Sequence, residues 1–351
     1  MKISIGTKIK EGPWGGGNLF AINLKNYLTE KGHEVVSNLY DNDLDVILIT
    51  EPRKTSESSA YTHIDVKRYL KYVKNDTVVI HRLNECDERK NTNFVNAYLI
   101  EANKVADQSV FVSNWLKELF IEQGILSTKN KVIYGGANQE IFNSKNYKPW
   151  EKGEKLKIVT HHWGANWNKG FETYSYLDKM LENDYWKEKI SFSYIGNIPK
   201  DFSFKNVKVI EPLADLELAN EIKSHHIYIT GSLNEPSGNH HIEGAQCGLP
   251  VLYLDSGGTS EYCNNYGLEF NLGNLDQKLN EMIDDYDHYV QNMIDYPFNS
   301  DLMCKEYLDM FLELVSKKND LLEIRHLKRR GNKIFKNIYL IVRKISEIFS
   351  N

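Results

Sequence analysis

This chain predicts two doubly wound α/β domains whose parallel sheets face each other across a cleft, with a basic amphipathic helix after them. Three observations carry that prediction. Short apolar, β-rich runs alternate with longer amphipathic stretches, which is the βαβ rhythm of parallel sheets. The rhythm pauses at residues 143–155, a Lys-, Asn- and Pro-containing linker, and then restarts. A length of 351 residues is too great for one typical domain and comfortable for two.

In the first half, strands are expected at 2–6, 45–50, 77–81, 109–112 and 131–134. In the second they are expected at 156–160, 191–195, 207–210, 227–230 and 251–254. The domains therefore read as 1–145 and 155–295, with 317–351 as a separate tail. A 41% hydrophobic and 26% charged composition is that of a globular enzyme. No run of 18 apolar residues offers a membrane span. The start, MKISIGTKIKEG, reads as a strand and not a signal peptide, because no apolar region follows it. Cys86, Cys247, Cys263 and Cys304 lack metal-ligand spacing and suit a reducing cytoplasm.

Residues 227–254 are the most informative stretch. Two buried-strand runs flank a polar loop and a short helix at 240–247, closed by Gly248 and Pro250. Glu235 falls in the loop and Glu243 in the first helical turn, with seven residues between them. Two carboxylates thus stand beside the free N–H groups of Ser237, Gly238, Asn239, His240 and His241, at the positive end of a helix dipole. Phosphate suits the N–H groups and sugar hydroxyls suit the carboxylates, so the site fits a sugar nucleotide.

The segment SLNEPSGNHHIEGAQCGLPVL resembles the donor-site signature of retaining family 4 glycosyltransferases. Patches of similarity run from about residue 1 to 315. In EGPWGGGNLFAINLKNYLTEKGHEV, Gly15 and Gly16 match the Gly-Gly pair that opens the family's first helix. Lys169 and Gly170 match its Lys-Gly pair, and Gly257, Gly258, Glu261 and Gly267 its later loop. The resemblance implies the GT-B fold, a helix at about 301–315 that returns to the first domain, and an acceptor-side first domain with a nucleotide-sugar second domain. It also implies roles. Glu243 would hold ribose hydroxyls, Glu235 the transferred sugar and Lys169 the diphosphate, with Gly15 and Gly16 approaching the donor. Gly164 stands where the family has a second cation, so His161, His162 or Asn166 would have to substitute.

His81 ends the third expected strand, where open α/β sheets present residues to the cleft. The family often places a catalytic residue there. Arg82, Asn84, Asp87 and Arg89 follow it, a dense polar loop suited to a polyhydroxylated or an anionic acceptor. Asp43-Leu44-Asp45 has a metal–diphosphate form but sits at a strand's amino end, away from the ligand face. No metal and no cofactor are therefore expected. Trp163 and Trp167 read as packing.

Residues 317–351 hold ten Lys or Arg against three Asp or Glu, a net +7, leaving −12 of the overall −5 on the remainder. Ile334, Phe335, Ile338, Tyr339, Ile341, Val342, Ile345, Ile348 and Phe349 recur at helical spacing. The tail reads as a membrane-surface or partner-binding element, or as a helix packed on its own domain. The expectation is a retaining hexosyltransferase that moves a sugar from a nucleotide-diphosphate donor to a glycan or lipid-linked acceptor. It would be cytoplasmic, peripheral at the inner face of an anionic membrane, with no nucleic-acid partner. The alternatives are a sugar-nucleotide 2-epimerase and a non-catalytic subunit that binds donor or partner.

Overall fold

A computed structural model describes residues 1–10, 15–325 and 333–348. The basic run Lys328–Arg330 and Phe349 lie outside the described residues. Two six-stranded parallel sheets form the chain's two halves. The first holds β1 (Lys2–Ile5), β2 (Glu34–Val36), β3 (Val46–Ile49), β4 (Val78–Leu83), β5 (Gln108–Phe111) and β6 (Asn130–Val132), in the order β2-β1-β3-β4-β5-β6. The second holds β7 (Leu156–His162), β8 (Ile190–Gly196), β9 (Lys208–Ile210), β10 (Ile227–Thr230), β11 (Val251–Leu254) and β12 (Gly267–Phe270), in the order β12-β11-β10-β7-β8-β9. Strands β2 and β12 were not expected from the sequence. Both are short edge strands with partly exposed residues, so neither carries a continuous apolar run.

Local chemistry sets the helix starts. Thr62 and Asp65 form a reciprocal capping box on the His63–Tyr72 helix, and Ser113 and Asn299 cap the helices that follow them. Each sheet is covered on both faces. On one face of the first sheet, Ile3, Ile5, Val46 and Val78 pack against Phe20, Ala21 and Leu24 of the Gly16–Glu30 helix. The Ser300–Ser316 helix completes that layer with Met303, Cys304, Tyr307, Met310 and Phe311. Residues near the end of the chain therefore finish the core of the first domain.

A strut joins the halves. Glu261 accepts from the backbone N–H of Asn114 and of Trp115 at 2.8 Å each, capping a first-domain helix from the second domain. Beside it the Tyr262 hydroxyl donates to the carbonyl of Val112.

The tail is not a free appendage. Arg325 donates from Nε to Asp107 Oδ1 at 2.6 Å and from Nη1 and Nη2 to the carbonyls of Asn75 and Thr77. The Lys333–Ile348 helix lays Arg343 over the Tyr69 ring and Tyr339 beside Tyr72. Ile334, Ile338, Ile341, Val342 and Ile345 point away, each 48–64% exposed. Among the described residues, no helix is long and apolar enough to cross a membrane.

Candidate active site

The loops after β7, β9 and β10 and the end of β8 open onto a cavity of about 870 Å³ between the two sheets. Its floor is the Asn239–Gln246 helix, which starts one residue earlier than expected and places Glu243 in the second turn. Gly238 begins it at φ +74, and a Cβ there would lie 2.4 Å from His241 Cε1. Gly244 lets the helix lie on β10, since a Cβ would lie 2.2 Å from the Tyr228 ring. Only glycine fits either position.

Glu235 sits at the centre and is buried. Lys169 Nζ donates to its Oε2 at 3.0 Å, and Arg89 Nε donates to its Oε1 at 2.8 Å. Burial alone would raise the Glu235 carboxyl, but the two cations outweigh it and hold the group far below the usual carboxylate range. Burial likewise lowers Lys169, opposed by Glu235. One carboxylate thus serves two cations, leaving an excess positive charge beside the helix N-terminus. Arg89 belongs to the first domain, and its neighbours tie the same loop across the cleft. Asn168 Nδ2 donates to the Arg89 carbonyl and Asn234 Nδ2 to that of Glu88, both at 3.2 Å.

Glu243 is held differently. His161 Nε2 lies 2.8 Å from Glu243 Oε2, while its Nδ1 lies 3.1 Å from the Tyr228 hydroxyl. The tautomer protonated on Nε2 satisfies both contacts. His162 Nε2 pairs with the Tyr174 hydroxyl at 2.7 Å and His240 Nε2 with Thr230 Oγ1 at 2.8 Å. Burial keeps both imidazoles well below their ordinary pKa and so neutral. His162, Asn166, Asn239, His240, Gly15 and Gly16 all line the cavity, as do the half-exposed Trp163 and Trp167. Trp167 also stacks on Phe171. His241 is fully buried between His240 and Tyr262, leaving its backbone rather than its ring for ligand work.

Two expectations need correction. His81 does not face the cleft. Strand β4 continues to Leu83, and alternation turns His81 onto the face opposite Arg82, where Nδ1 lies 3.0 Å from Asn103 Oδ1. It is fully buried there, and burial depresses its pKa to about 4. Asp87 is a structural cap, accepting from Thr92 Oγ1 and from the backbone N–H groups of Phe94, Val95 and Asn96. Asp45 and Asp43 engage Lys2 at the amino end of the first sheet. Of the remaining expected site residues, Arg82 of β4 and Asn84 and Ser237 of loops line a second cavity, which Arg89 shares with the first. Sequence reasoning undervalued His161 and placed Arg89 only with the acceptor. The absent cation at Gly164 was the one signal that a charge had to come from elsewhere.

This two-domain arrangement is the GT-B fold, which the chain shares with known glycosyltransferases. It is similar to a glycosyltransferase from Rickettsia africae ESF-5, with a TM-score of 0.65 and 16% identity over 90% of this chain and 98% of that one. It is also similar to HepE from Anabaena in complex with UDP and glucose, with a TM-score of 0.63 and 13% identity over 90% and 100% of the two chains. Sucrose-phosphate synthase from Thermosynechococcus elongatus aligns with a TM-score of 0.58 and 13% identity over 90% and 99%. No family model and no curated protein sequence matches the chain.

Proposed function

We propose that this protein is a retaining glycosyltransferase that moves a hexosyl unit from a nucleotide-diphosphate sugar to a glycan or lipid-linked acceptor in polysaccharide or glycoconjugate synthesis. The observation that carries the reading is the pairing of Lys169 and Arg89 on buried Glu235, beside the start of the Asn239–Gln246 helix. A diphosphate arriving there meets two cations and a helix dipole. Arg89 supplies the charge that Gly164 lacks, and its assignment moves from acceptor to donor diphosphate. Glu243, oriented by His161, suits the ribose hydroxyls, and the apolar wall of Ile195, Leu213 and Leu218 suits a nucleobase. Once a ligand claims the two cations, Glu235 is freed to accept from sugar hydroxyls.

In the transfer, the anomeric carbon–phosphate oxygen bond breaks and a bond to the acceptor oxygen forms on the same face. The acceptor's proton passes to the departing phosphate oxygen, so no strong protein base is needed. Lys169, Arg89 and the amides at the helix start stabilise the developing charge, a contribution typically worth ~3–4 kcal/mol per key donor. HepE in complex with UDP and with UDP-glucose supports donors of this class. The exposed Ile334–Ile345 stripe and the basic tail support a position on an anionic membrane surface.

The test is incubation with UDP-, GDP- and ADP-sugars. Free nucleoside diphosphate should appear only when acceptor is added, and NMR of the product should show the donor's anomeric configuration kept. An inverted product would overturn retention. An epimerised donor formed without acceptor would establish the epimerase reading, and donor binding without turnover across an acceptor panel the non-catalytic one.

A further inference from the structure

The second cavity, about 410 Å³, runs from Arg89 into the first domain past the hydroxyls of Thr7, Thr50, Ser56 and Ser58. Four cations line it, and three have carboxylate partners. Arg53 is paired with Glu51 and Glu85, Lys90 with Glu85 at 2.6 Å, and Arg89 with Glu235. Arg82 is the exception. Among the described residues, no carboxylate lies within ion-pair distance of it, although it is only 6% exposed. Its Cζ sits 3.9 Å from the centroid of the Phe20 ring, a contact that offsets part of the cost of burying a cation. Burial pulls the guanidinium below its ordinary value, yet an arginine remains charged. A buried charge with no counter-charge is strongly unfavourable, so its retention calls for a partner that arrives from outside.

A second observation points the same way. The Gly16–Glu30 helix begins in this cavity, where Gly15, Gly16, Gly17 and Asn18 form part of the wall. Among the described residues, no side chain caps that helix start and no acidic residue occupies its first turn. The positive end of its dipole therefore faces the same space as Arg82. Every described carboxylate on the wall (Glu51, Glu85 and Glu235) is already engaged by another cation.

We propose that the second cavity receives an acceptor bearing a phosphate or carboxylate group, with that anion on Arg82 and the start of the Gly16–Glu30 helix. The hydroxyls lining the cavity would take up the rest of a polyhydroxylated molecule. This rests on the glycosyltransferase reading, since it names the class of acceptor for that reaction. A soluble sugar and a lipid headgroup can both carry this anion, and the two sources share this chemistry.

The experiment is calorimetric binding to the full chain of hexose 6-phosphates, hexuronates, the matching neutral hexoses, and phosphatidylinositol in neutral vesicles. At least one anionic probe should bind ten times more tightly than its neutral match. Binding of the soluble anions points to a free sugar, and binding of the vesicles alone to a lipid-borne one. Arg82→Gln should abolish the preference and Arg82→Lys retain part of it. Without ligand, Arg82→Gln should unfold no earlier than the parent, because it removes a buried charge that has no carboxylate partner. Equal binding of charged and neutral probes, no binding of any anionic probe, or a preference kept in Arg82→Gln overturns the proposal. So does an Arg82→Gln protein that unfolds markedly earlier while Arg82→Lys shows no anion preference, since Arg82 would then serve the fold alone. A protein that binds UDP-sugars but no anionic probe refutes only this inference. One that binds no nucleotide sugar refutes the donor reading itself.

Discussion

Arg89 of the first domain and Glu235 of the second are joined by a 2.8 Å hydrogen bond across 146 positions of sequence. The bond makes the charge state of the proposed donor site depend on how the domains meet. It also separates two roles for Arg89. Arg89→Ala should weaken UDP binding about tenfold or more, roughly 1.4 kcal/mol, and leave uridine binding unchanged. Calorimetry with both ligands checks this. Equal losses for nucleoside and diphosphate would place Arg89 in domain packing instead.

Glu243→Gln should raise the donor Kd, since a charge-assisted bond to ribose is worth roughly 1.5–3 kcal/mol. His161→Phe should reproduce part of that loss by releasing the carboxylate. The double variant should show less than additive effects, because the two groups act as one unit. Full additivity in donor titrations would mean that His161 does not orient Glu243.

Turnover should survive chelation. In the proposed reaction Lys169 and Arg89 stabilise the leaving-group charge, so EDTA-treated protein should keep most of its activity, while Lys169→Ala loses at least tenfold, ~1.4 kcal/mol. Loss of turnover with EDTA that Mg²⁺ restores would contradict this.

Acid should unfold the protein through its buried histidines. His81 and His241 are both depressed to about 4 from an ordinary value of 6.5. Burial is the cause in each, and both are neutral when folded. The unfolded chain binds their protons first, so the stability they contribute is complete above pH 6.5 and is lost as pH falls toward 4. Each adds a slope of about 1.4 kcal/mol per pH unit within that window. Urea titrations from pH 7 to 4.5 should show His81→Gln with a shallower pH dependence than the parent, and parallel curves would refute the assignment.

Membrane attachment should depend on the outward stripe rather than on the whole tail. Truncation at Val315 would strand Asp107, which Arg325 engages, so it should destabilise the first domain. Replacing Ile338, Ile341 and Ile345 with Ser should leave thermal stability unchanged and abolish co-sedimentation with anionic vesicles. Parent protein should pellet with those vesicles at low salt, and less at 1 M, where screening shortens to roughly 3 Å. Parent protein that stays in solution at low salt would refute attachment.

The sheets were legible because buried parallel strands are continuous apolar runs, and ten of them stand out. The edge strands β2 and β12 do not, because half-exposed residues blur the pattern. The loop from Glu235 to Glu243 was legible because carboxylates and glycines cluster around a helix start within a few residues. His81 was misplaced because β4 runs two residues further than its apolar run suggests, which puts His81 inside the buried strand rather than at the tip that meets the cleft. Asp87 and Arg89 looked alike in one polar loop. Only the tertiary fold separates a carboxylate that caps the next helix from a guanidinium that reaches the other domain.

The Ser300–Ser316 helix has a consequence for synthesis of the chain. The strands of the first domain are complete by residue 132, but Met303 to Phe311, which cover one flank of its sheet, emerge from the ribosome much later. At roughly 5–20 residues per second the interval is about 10–35 s. Throughout it, Phe20, Leu24 and Leu28 have an oily flank open to water and to other nascent chains. Soluble yield should therefore follow translation speed through the second half of the message and the supply of chaperones that shield that flank.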